Sequence, residues 1–593
     1  MSTRLEDYAM IGDGETIALV NRAGSIDWLC LPRFDSDACF AALVGDERNG
    51  RWCMAPADNV MRIERRYCQD TLVLETDFIT AEGRVRVLDF MPIRSGRDST
   101  VIRIVAGIDG AVAMRSSLAV RFDYGTVSPW YTDEKDGAVI GKVGPDLVVI
   151  RADVKLKRQD EIVMADFHVK AGQRFAFSLQ HDGSTAPPPG PVDAERLLEE
   201  TKSWWLDWIA RFDKPTEWPD FIKRSLIVLK ALTYFPTGGI VAAGTTGLPE
   251  KPGGRMNWDY RYCWLRDSTF TLTAFLNAGF KDEAREWLHW LLRAIAGDPD
   301  RIRIAYRVDG GRHLYEWNAD WLMGWEGAQP VRVGNGAARQ RQLDIFGEII
   351  DSTHLAEQAG LERNDWEDAI ERRLVLKVAE TWREPDQGLW ESRGRPRHYV
   401  YSKAMAWVAV DRFLKMSRTR PHVEPELLSK LEKLRDEMHA EICARGWSEK
   451  RGSFVTHYAT RQLDGSLLLL PLVGFLPISD PRMTATIAAC EAELIESGFV
   501  RRHKAAAFGT EEGCFIACSC WLANCMVLQG RHEEARKLLG RIAGIANDVG
   551  LLSEEYHVRE GRLLGNIPQA LSHLSFVNAA LSLAGPVLQR GGG

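Results

Sequence analysis

The sequence predicts an antiparallel β domain, most simply a sandwich, followed by an all-α domain. From residue 15 to about residue 185, apolar and polar residues alternate in short runs between Gly and Asp turns, as in antiparallel strands. From Pro219 onward, the apolar residues recur with the period of a helix. Between these regions, residues 185–191 include three consecutive prolines, which exclude helix and central strand and indicate a linker.

The first domain contains several clear strand patterns before the proline-rich linker. A helical run at 195–212 follows that linker and bridges the two domains. We therefore predict a β-sandwich over 1–190, a linker helix over 191–215 and a helical domain over 216–593. The clearest strand patterns span 60–67, 71–76, 85–90, 101–108 and 147–153.

About twelve helices are predicted in the second domain. This number fits six helical hairpins closed into an (α/α)6 toroid, although helix count alone would equally allow an α-solenoid. The 593-residue chain is also longer than an ordinary domain with a single hydrophobic core, so two domains or one large toroid are expected. The predicted helices span 219–235, 267–279, 281–297, 340–359, 363–383, 402–418, 424–445, 466–474, 482–497, 513–529, 531–547 and 568–584.

Charge and hydropathy exclude several classes of partner. Lys and Arg total 75 against 82 Asp and Glu, which gives a net charge of -7 and no basic surface for nucleic acid. No apolar run approaches the ~20 residues that a membrane helix needs. The first residues also lack the pattern of a signal peptide. We therefore expect a cytoplasmic protein that binds neither nucleic acid nor membranes, and its composition is compatible with a homo-oligomer.

The 11 cysteines raise the question of a metal site. Cys514, Cys518 and Cys525 could share one helix face. However, no nearby His or paired C-x-x-C motif accompanies them, so small buried thiols in a reduced compartment are the favoured interpretation. We predict no metal and no cofactor.

Residues 257–267, with the sequence NWDYRYCWLRD, are the most informative segment of the chain. They place aromatic rings, arginines and carboxylates just before an apolar helical run. Arg266 and Asp267 could bind vicinal hydroxyls there, while Trp and Tyr rings stack on a pyranose. An aromatic core turn with a surface ion pair would explain any one of these residues, but the whole cluster is typical of a sugar site.

This segment resembles the first substrate-binding segment of glycoside hydrolase family 15, the inverting glucoamylases and trehalases. Two further segments, 388–391 (GLWE) and 553–556 (SEEY), resemble that family's general-acid and catalytic-base motifs. N-terminal segments 11–14, 25–29 and 32–36 resemble its bacterial and archaeal branch. The resemblance covers nearly the whole chain and implies the toroid, in which the loops carrying these motifs would converge on one funnel.

The resemblance implies that Glu391 is the general acid and Glu554 the general base. Inversion needs the two carboxyl groups ~6.5 to 9.5 Å apart, with water between the base and the sugar. The indole of Trp390 should raise the pKa of Glu391, whereas Glu554 should remain ionised. Spacing alone leaves Glu555 as a competitor for the base, and Glu326 is the reserve candidate for the acid.

The predicted substrate-binding residues combine aromatic rings with charged groups from the same segments. Glu511 and Glu512 would equally suit the first turn of a helix, where carboxylates are favoured. The predicted set is Asp259, Tyr260, Trp264, Arg266, Asp267, Trp325, Trp390, Glu511, Glu512 and Tyr556.

The resemblance implies an exo-acting α-glucosidase that releases β-glucose from a small carbohydrate, either trehalose or a maltooligosaccharide. One alternative is a disaccharide phosphorylase on a similar toroid, in which inorganic phosphate replaces the base; a carboxylate at Glu554 argues against it. Another is a non-catalytic sugar-sensing or scaffold protein, which should tolerate the loss of one carboxylate. This chain keeps both.

Overall fold

The computed structural model describes residues 2–363, 365–418, 423–504, 512–588 and 590. A large antiparallel β domain is followed by a helical domain, as the sequence predicts. Within these described ranges, no helix combines the length and the apolar character that crossing a membrane requires.

Fifteen strands, β1–β15, form the first domain, and every pair of neighbouring strands is antiparallel. They are Tyr8–Gly12, Ile17–Asn21, Ser25–Cys30, Ala38–Phe40, Arg51–Pro56, Val60–Tyr67, Leu74–Thr80, Gly83–Phe90, Ser99–Ala119, Trp130–Asp133, Val139–Val143, Asp146–Ala152, Lys157–Gln159, Ile162–Lys170 and Arg174–Gly183.

The 21-residue strand β9 organises the β domain. Its first half pairs with β8 and β15, and its second half pairs with β5 and β14. One strand therefore belongs to two portions of sheet, in the orders β1-β2-β3-β5-β9 and β9-β15-β12-β11-β10. The apolar residues of these strands are buried in the main core, which continues into the helical domain.

Among the described residues, thirteen helices, α1–α13, account for the linker and the second domain, and each predicted helix lies at one of them. Asp193 caps α1 by accepting a hydrogen bond from the Arg196 backbone N–H at 3.1 Å. The helices are Ala194–Ile209, Pro219–Ala231, Leu265–Ala278, Lys281–Ile295, Asp344–Gln358, Asp365–Thr381, Val400–Ser417, Pro425–Gly446, Leu469–Leu472, Pro481–Leu494, Ile516–Leu528, His532–Gly544 and Ala570–Ala584.

Six of these helices pack in a closed succession. Helix α3 contacts α13 and α5, α5 contacts α7, α7 contacts α9, α9 contacts α11, and α11 contacts α13. Helix α7 is buried along nearly its whole length, as expected for a helix that is apolar on all sides. The loops that precede α3, α7, α11 and α13 meet around one cavity.

Short antiparallel strands also pair within and between the loops of the helical domain. They are Thr233–Tyr234 with Gly239–Ile240, Cys263–Trp264 with Ala305–Tyr306, Trp317–Asn318 with Arg332–Val333, Trp447–Ser448 with Ser453–Phe454, Ile495–Glu496 with Phe499–Val500, and Cys514–Phe515 with Glu555–His557 and Arg562–Leu564.

The cysteines are free thiols. Cys514, Cys518 and Cys525 are buried in or beside α11, and burial raises the pKa of each thiol. The Cys525 thiol donates to the Leu468 carbonyl at 3.2 Å. These cysteines pack as small core residues.

Candidate active site

A cavity of about 590 Å³ lies where the loops before α3, α7, α11 and α13 converge. This volume suits a small ligand such as a disaccharide. The cavity brings together eight of the predicted site residues, which come from four separate segments of the chain: Tyr260, Trp264, Arg266, Asp267, Trp390, Glu391, Glu512 and Glu554.

Two aromatic rings of the segment before α3 each hold one of the candidate catalytic carboxylates. The Trp264 Nε1–H donates to Glu391 Oε1 at 2.5 Å, and the Tyr260 hydroxyl donates to Glu554 Oε1 at 2.7 Å. The two rings pack edge to face, with centroids 5.4 Å apart. This one aromatic pair therefore links the positions of both carboxylates.

Arg266 lies in the first turn of α3, because that helix begins at Leu265 rather than at the predicted residue 267. Its Nε donates to Asp267 Oδ1 at 2.9 Å, and its Nη1 donates to the Leu389 carbonyl at 2.8 Å. Nη1 also lies 3.6 Å from Glu391 Oε1. One guanidinium therefore joins the start of α3 to the loop that carries Glu391.

The backbone of Glu391 adopts a left-handed conformation, with φ of 55°. Such a conformation costs a residue other than Gly about 1–3 kcal/mol, so the surrounding contacts must hold it. The Gln340 side-chain amide donates to the Glu391 carbonyl at 2.9 Å. Gly388, at φ of 72°, faces the Tyr399 ring so closely that a Cβ would lie 2.7 Å from it.

Glu554 is almost completely buried beside a glycine that makes room for its carboxylate. A Cβ on Gly565, at φ of 74°, would lie 2.6 Å from Glu554 Oε2. The Glu554 backbone N–H donates to the Asn566 carbonyl at 3.2 Å, and its carbonyl accepts from Ile516 N–H at 3.2 Å. These contacts direct the side chain into the cavity.

An acidic cluster surrounds Arg502 next to Glu554. Arg502 Nε donates to Glu512 Oε1 at 2.5 Å, and Nη2 lies 3.2 Å from Glu555 Oε1. The same guanidinium forms an ion pair with Glu250. Oxygens of Glu250, Glu512 and Glu555 lie within 4.8 Å of one another, as in a cation site. Arg502 supplies one positive charge to these three carboxylates.

Burial raises the pKa values of both candidate catalytic groups. For Glu391, the cationic Arg266 and the hydrogen bond from Trp264 oppose the effect of burial. For Glu554, burial and the neighbouring Glu250 raise the pKa to about 8, although Arg502 opposes them. A pKa of about 8 contradicts the sequence-based expectation that Glu554 remains ionised at neutral pH, because burial and, after it, the charge of Glu250 act on this carboxyl.

The remaining predicted residues lie elsewhere. Asp259 is buried and accepts from Arg261 Nη2 at 2.7 Å and from Gly334 N–H at 2.9 Å, which fixes two loops beneath the cavity. The Trp325 indole donates to the Thr3 carbonyl at 2.9 Å, and Tyr556 packs on Phe499. None of these three predicted residues lines the cavity.

The two competing carboxylates are also away from the cavity wall. Glu326 forms an ion pair with Arg562 at 2.6 Å. Glu555 is completely buried, and its side chain faces the cluster around Arg502. Glu511, a predicted substrate-binding residue, lies outside the described residues. The geometry therefore favours Glu391 and Glu554 over these rivals.

Trp390 lines the cavity but contacts a different part of the site than predicted. Its ring packs against those of Phe515 and Trp521, with centroids 5.4 and 6.0 Å away. The indole that touches Glu391 is that of Trp264.

Sequence reasoning missed several residues that line the cavity. Glu250 lies in a Gly- and Pro-rich loop with no motif around it. A lone Glu in such a loop is only a weak indication of a site residue. Arg502 and His503 carry no recognisable pattern either, and only the fold brings them to the cavity. The other missed cavity residues include Trp258, Arg393, Arg395, Arg397, His457 and Gln569.

We expect kcat/KM to fall as the pH decreases. The midpoint of this acidic limb of the pH profile should lie well above the ordinary pKa of a glutamate. A base must be ionised to act, and the pKa of Glu554 is raised to about 8. A Glu250→Gln variant should move this limb to lower pH, because it removes the anion that helps to raise the Glu554 pKa. The pH profile of kcat/KM tests this shift. The control Glu326→Gln removes an equal charge outside the cavity and should leave the limb in place; an unmoved limb in Glu250→Gln would contradict the assignment.

Comparison with known proteins finds relatives over nearly the whole chain. Residues 219–581 match the model of glycosyl hydrolases family 15, and residues 1–174 match the model of the trehalase-like N-terminal domain. The chain is 34% identical to a trehalase of Mycobacterium tuberculosis over 97% of this chain and 89% of the relative. It is 31% identical to a trehalase of Thermoplasma volcanium over 99% and 94% of the two chains.

A solved structure of similar fold is that of a bacterial glucoamylase complexed with acarbose. It aligns with a TM-score of 0.75 and 11% identity, over 98% of this chain and 94% of that one. At this identity the likeness concerns the fold, in which a β domain is again joined to a helical domain.

Proposed function

Because the chain belongs to glycoside hydrolase family 15 and is a glycoside hydrolase, we propose that it hydrolyses α,α-trehalose with inversion at the attacked anomeric carbon. The observation that carries this proposal is the convergence of Glu391 and Glu554 on one cavity, each held by a ring of the Tyr260–Trp264 pair. The near-full-length similarity to trehalases supports the choice of substrate.

In this proposal Glu391 is the general acid. Burial raises the pKa of its carboxyl, which favours the protonated form, and the acid transfers this proton to the glycosidic oxygen as the bond to the leaving glucose breaks. Trp264 and Arg266 fix the orientation of the carboxyl and stabilise the carboxylate that forms. Protonation makes the leaving sugar a neutral alcohol.

Glu554 is the general base. It removes a proton from a water molecule while that water attacks the anomeric carbon from the face opposite the leaving group. The Tyr260 hydroxyl orients the base through Oε1, and the buried Oε2 accepts no hydrogen bond from the described residues. The resulting proton is shared with a cluster whose members Glu250 and Glu555 also have raised pKa values because of burial.

Arg266 and Asp267 provide the hydroxyl-binding fork of the proposal, since both line the cavity beside Glu391. Trp258 and Trp390 line the cavity and provide aromatic surface for contact with the pyranose rings. The first-formed products would be one β-glucose from the attacked ring and one α-glucose as the leaving sugar.

The architecture that we propose is a β-sandwich over 1–190, a linker helix over 191–215 and an (α/α)6 toroid over 216–593. The shared strand β9 supports the sandwich, and the closed succession of six helices supports the toroid. The cytoplasmic location stays a prediction from the sequence.

Initial rates on trehalose, maltose, isomaltose and maltotriose test the proposed substrate. We expect trehalose to have the highest kcat/KM of the four sugars. Preference for maltose and maltotriose would instead support a glucoamylase-type activity on the same cavity. Turnover that requires inorganic phosphate and yields glucose 1-phosphate would indicate a phosphorylase, and inactivity on every sugar would favour the non-catalytic alternative.

A further inference from the structure

Three arginines at alternate positions lie along one wall of the cavity. Arg393, Arg395 and Arg397 follow Glu391 in the same loop, and all three line the cavity. A cavity for a neutral disaccharide does not need this concentration of positive charge, because sugar hydroxyls are bound well by neutral or paired groups. The charge therefore requires a separate explanation.

Arg393 differs from the other two because its charge is already compensated. Its Nη2 lies 2.7 Å from Glu316 Oε2, and its guanidinium lies 4.6 Å from the centre of the Trp258 ring. Among the described residues, no carboxylate forms an ion pair with Arg395 or Arg397. These two exposed guanidiniums therefore carry positive charges that no described carboxylate neutralises.

Arg397 is also held in place without being neutralised. Its backbone forms two hydrogen bonds with Asp386, at 2.7 and 2.9 Å, and its Nη1 lies 3.4 Å from His457 Nε2. His457 Nδ1 lies 2.9 Å from the Tyr458 carbonyl, so the neutral ring donates there and accepts from Arg397. Burial and Arg397 lower the pKa of His457, which keeps this acceptor neutral.

The position of this loop indicates which sugar the arginines would face. Glu391 gives its proton to the oxygen of the leaving sugar, and Arg395 is only four residues further along the same loop. We therefore expect the loop to flank the leaving sugar rather than the glucose that is attacked. Two unpaired arginines present the donor geometry that matches phosphate oxygens in a bidentate manner.

We propose that Arg395 and Arg397 form a phosphoryl-binding site, through which the enzyme also hydrolyses α-glucosides whose leaving sugar carries a phosphate ester. This inference rests on the proposed hydrolytic function. Water again attacks the anomeric carbon, the glycosidic C–O bond breaks, and Glu391 protonates the leaving oxygen. The products are β-glucose and a phosphorylated glucose, and the phosphate ester remains intact.

The test compares kcat/KM for trehalose and trehalose 6-phosphate in the wild type and in an Arg395→Ala/Arg397→Ala double variant. We expect the ratio of phosphorylated to neutral substrate to fall at least about tenfold in the double variant, since hydrogen bonds to charged groups are lost. The matched control Arg341→Ala removes an exposed arginine that is paired with Glu384 and does not line the cavity. It should leave the ratio unchanged.

The results separate this inference from the proposed function. If all three proteins hydrolyse trehalose with the same ratio of kcat/KM for phosphorylated to neutral substrate, the inference is overturned and the proposed function stands. The same holds if trehalose is hydrolysed but trehalose 6-phosphate is not. If trehalose is not cleaved, binding of trehalose 6-phosphate to the same proteins by calorimetry decides: affinity that the double variant loses supports the site. Inorganic phosphate is the control ligand, and affinity for it alone would also overturn the inference.

Discussion

A Glu391→Gln or a Glu554→Gln variant should lose about 10²- to 10⁴-fold of kcat on trehalose, because each removes one proton transfer from the displacement. Glutamine keeps the size of the side chain, and it can still accept from Trp264 or Tyr260 at either position. We therefore expect both variants to fold like the wild type. Initial rates of glucose release and far-UV circular dichroism of the same samples measure the two quantities.

Two further variants are controls for these assignments. Glu326→Gln should keep near wild-type kcat, because Glu326 pairs with Arg562 away from the cavity. If Glu391→Gln retains its activity and Glu326→Gln loses it, the general acid is Glu326. If Glu554→Gln stays active while Glu555→Gln does not, the base assignment is wrong by one residue.

An Arg266→Ala variant should lose about 10²-fold or more of kcat/KM on every substrate that the enzyme cleaves. The change removes the donors to Asp267 and to the Leu389 carbonyl, together with the cation 3.6 Å from Glu391. It leaves the Asp267 and Glu391 carboxylates without their shared cation and frees the loop that carries the acid. Steady-state kinetics with trehalose gives this loss directly.

Arg266→Lys is the matched comparison, because it keeps the charge but cannot form the same fork of hydrogen bonds. We expect only partial recovery of kcat/KM relative to Arg266→Ala. Normal kcat/KM in the alanine variant would remove this residue from the active site.

The order of domains and the helices could be predicted because they depend on local patterns. A period of two marks the strands of the first domain, a period of 3.6 marks the helices, and residues 185–191 mark the linker. Helix α3 begins two residues before its predicted start, and Trp264 occupies the N-cap position without a capping side-chain hydrogen bond. No capping residue marks that start in the sequence.

The electrostatics of the site could not be predicted, because they depend on residues that meet only in the fold. Glu250 and Arg502 are 252 positions apart, yet they form an ion pair beside Glu554. Their charges, together with burial, set the pKa of that carboxyl. Trp325 shows the opposite difficulty, since it is a predicted substrate-binding residue but its indole donates to the Thr3 carbonyl outside the cavity.

The central claim, direct displacement by water between Glu554 and the anomeric carbon, is tested by following the anomeric proton signals during early trehalose hydrolysis. Inversion releases α- and β-glucose in an initial one-to-one ratio, which then drifts only by mutarotation. Release of two α-glucose molecules per trehalose would mean retention and would contradict the assignment of Glu391 and Glu554 as acid and base.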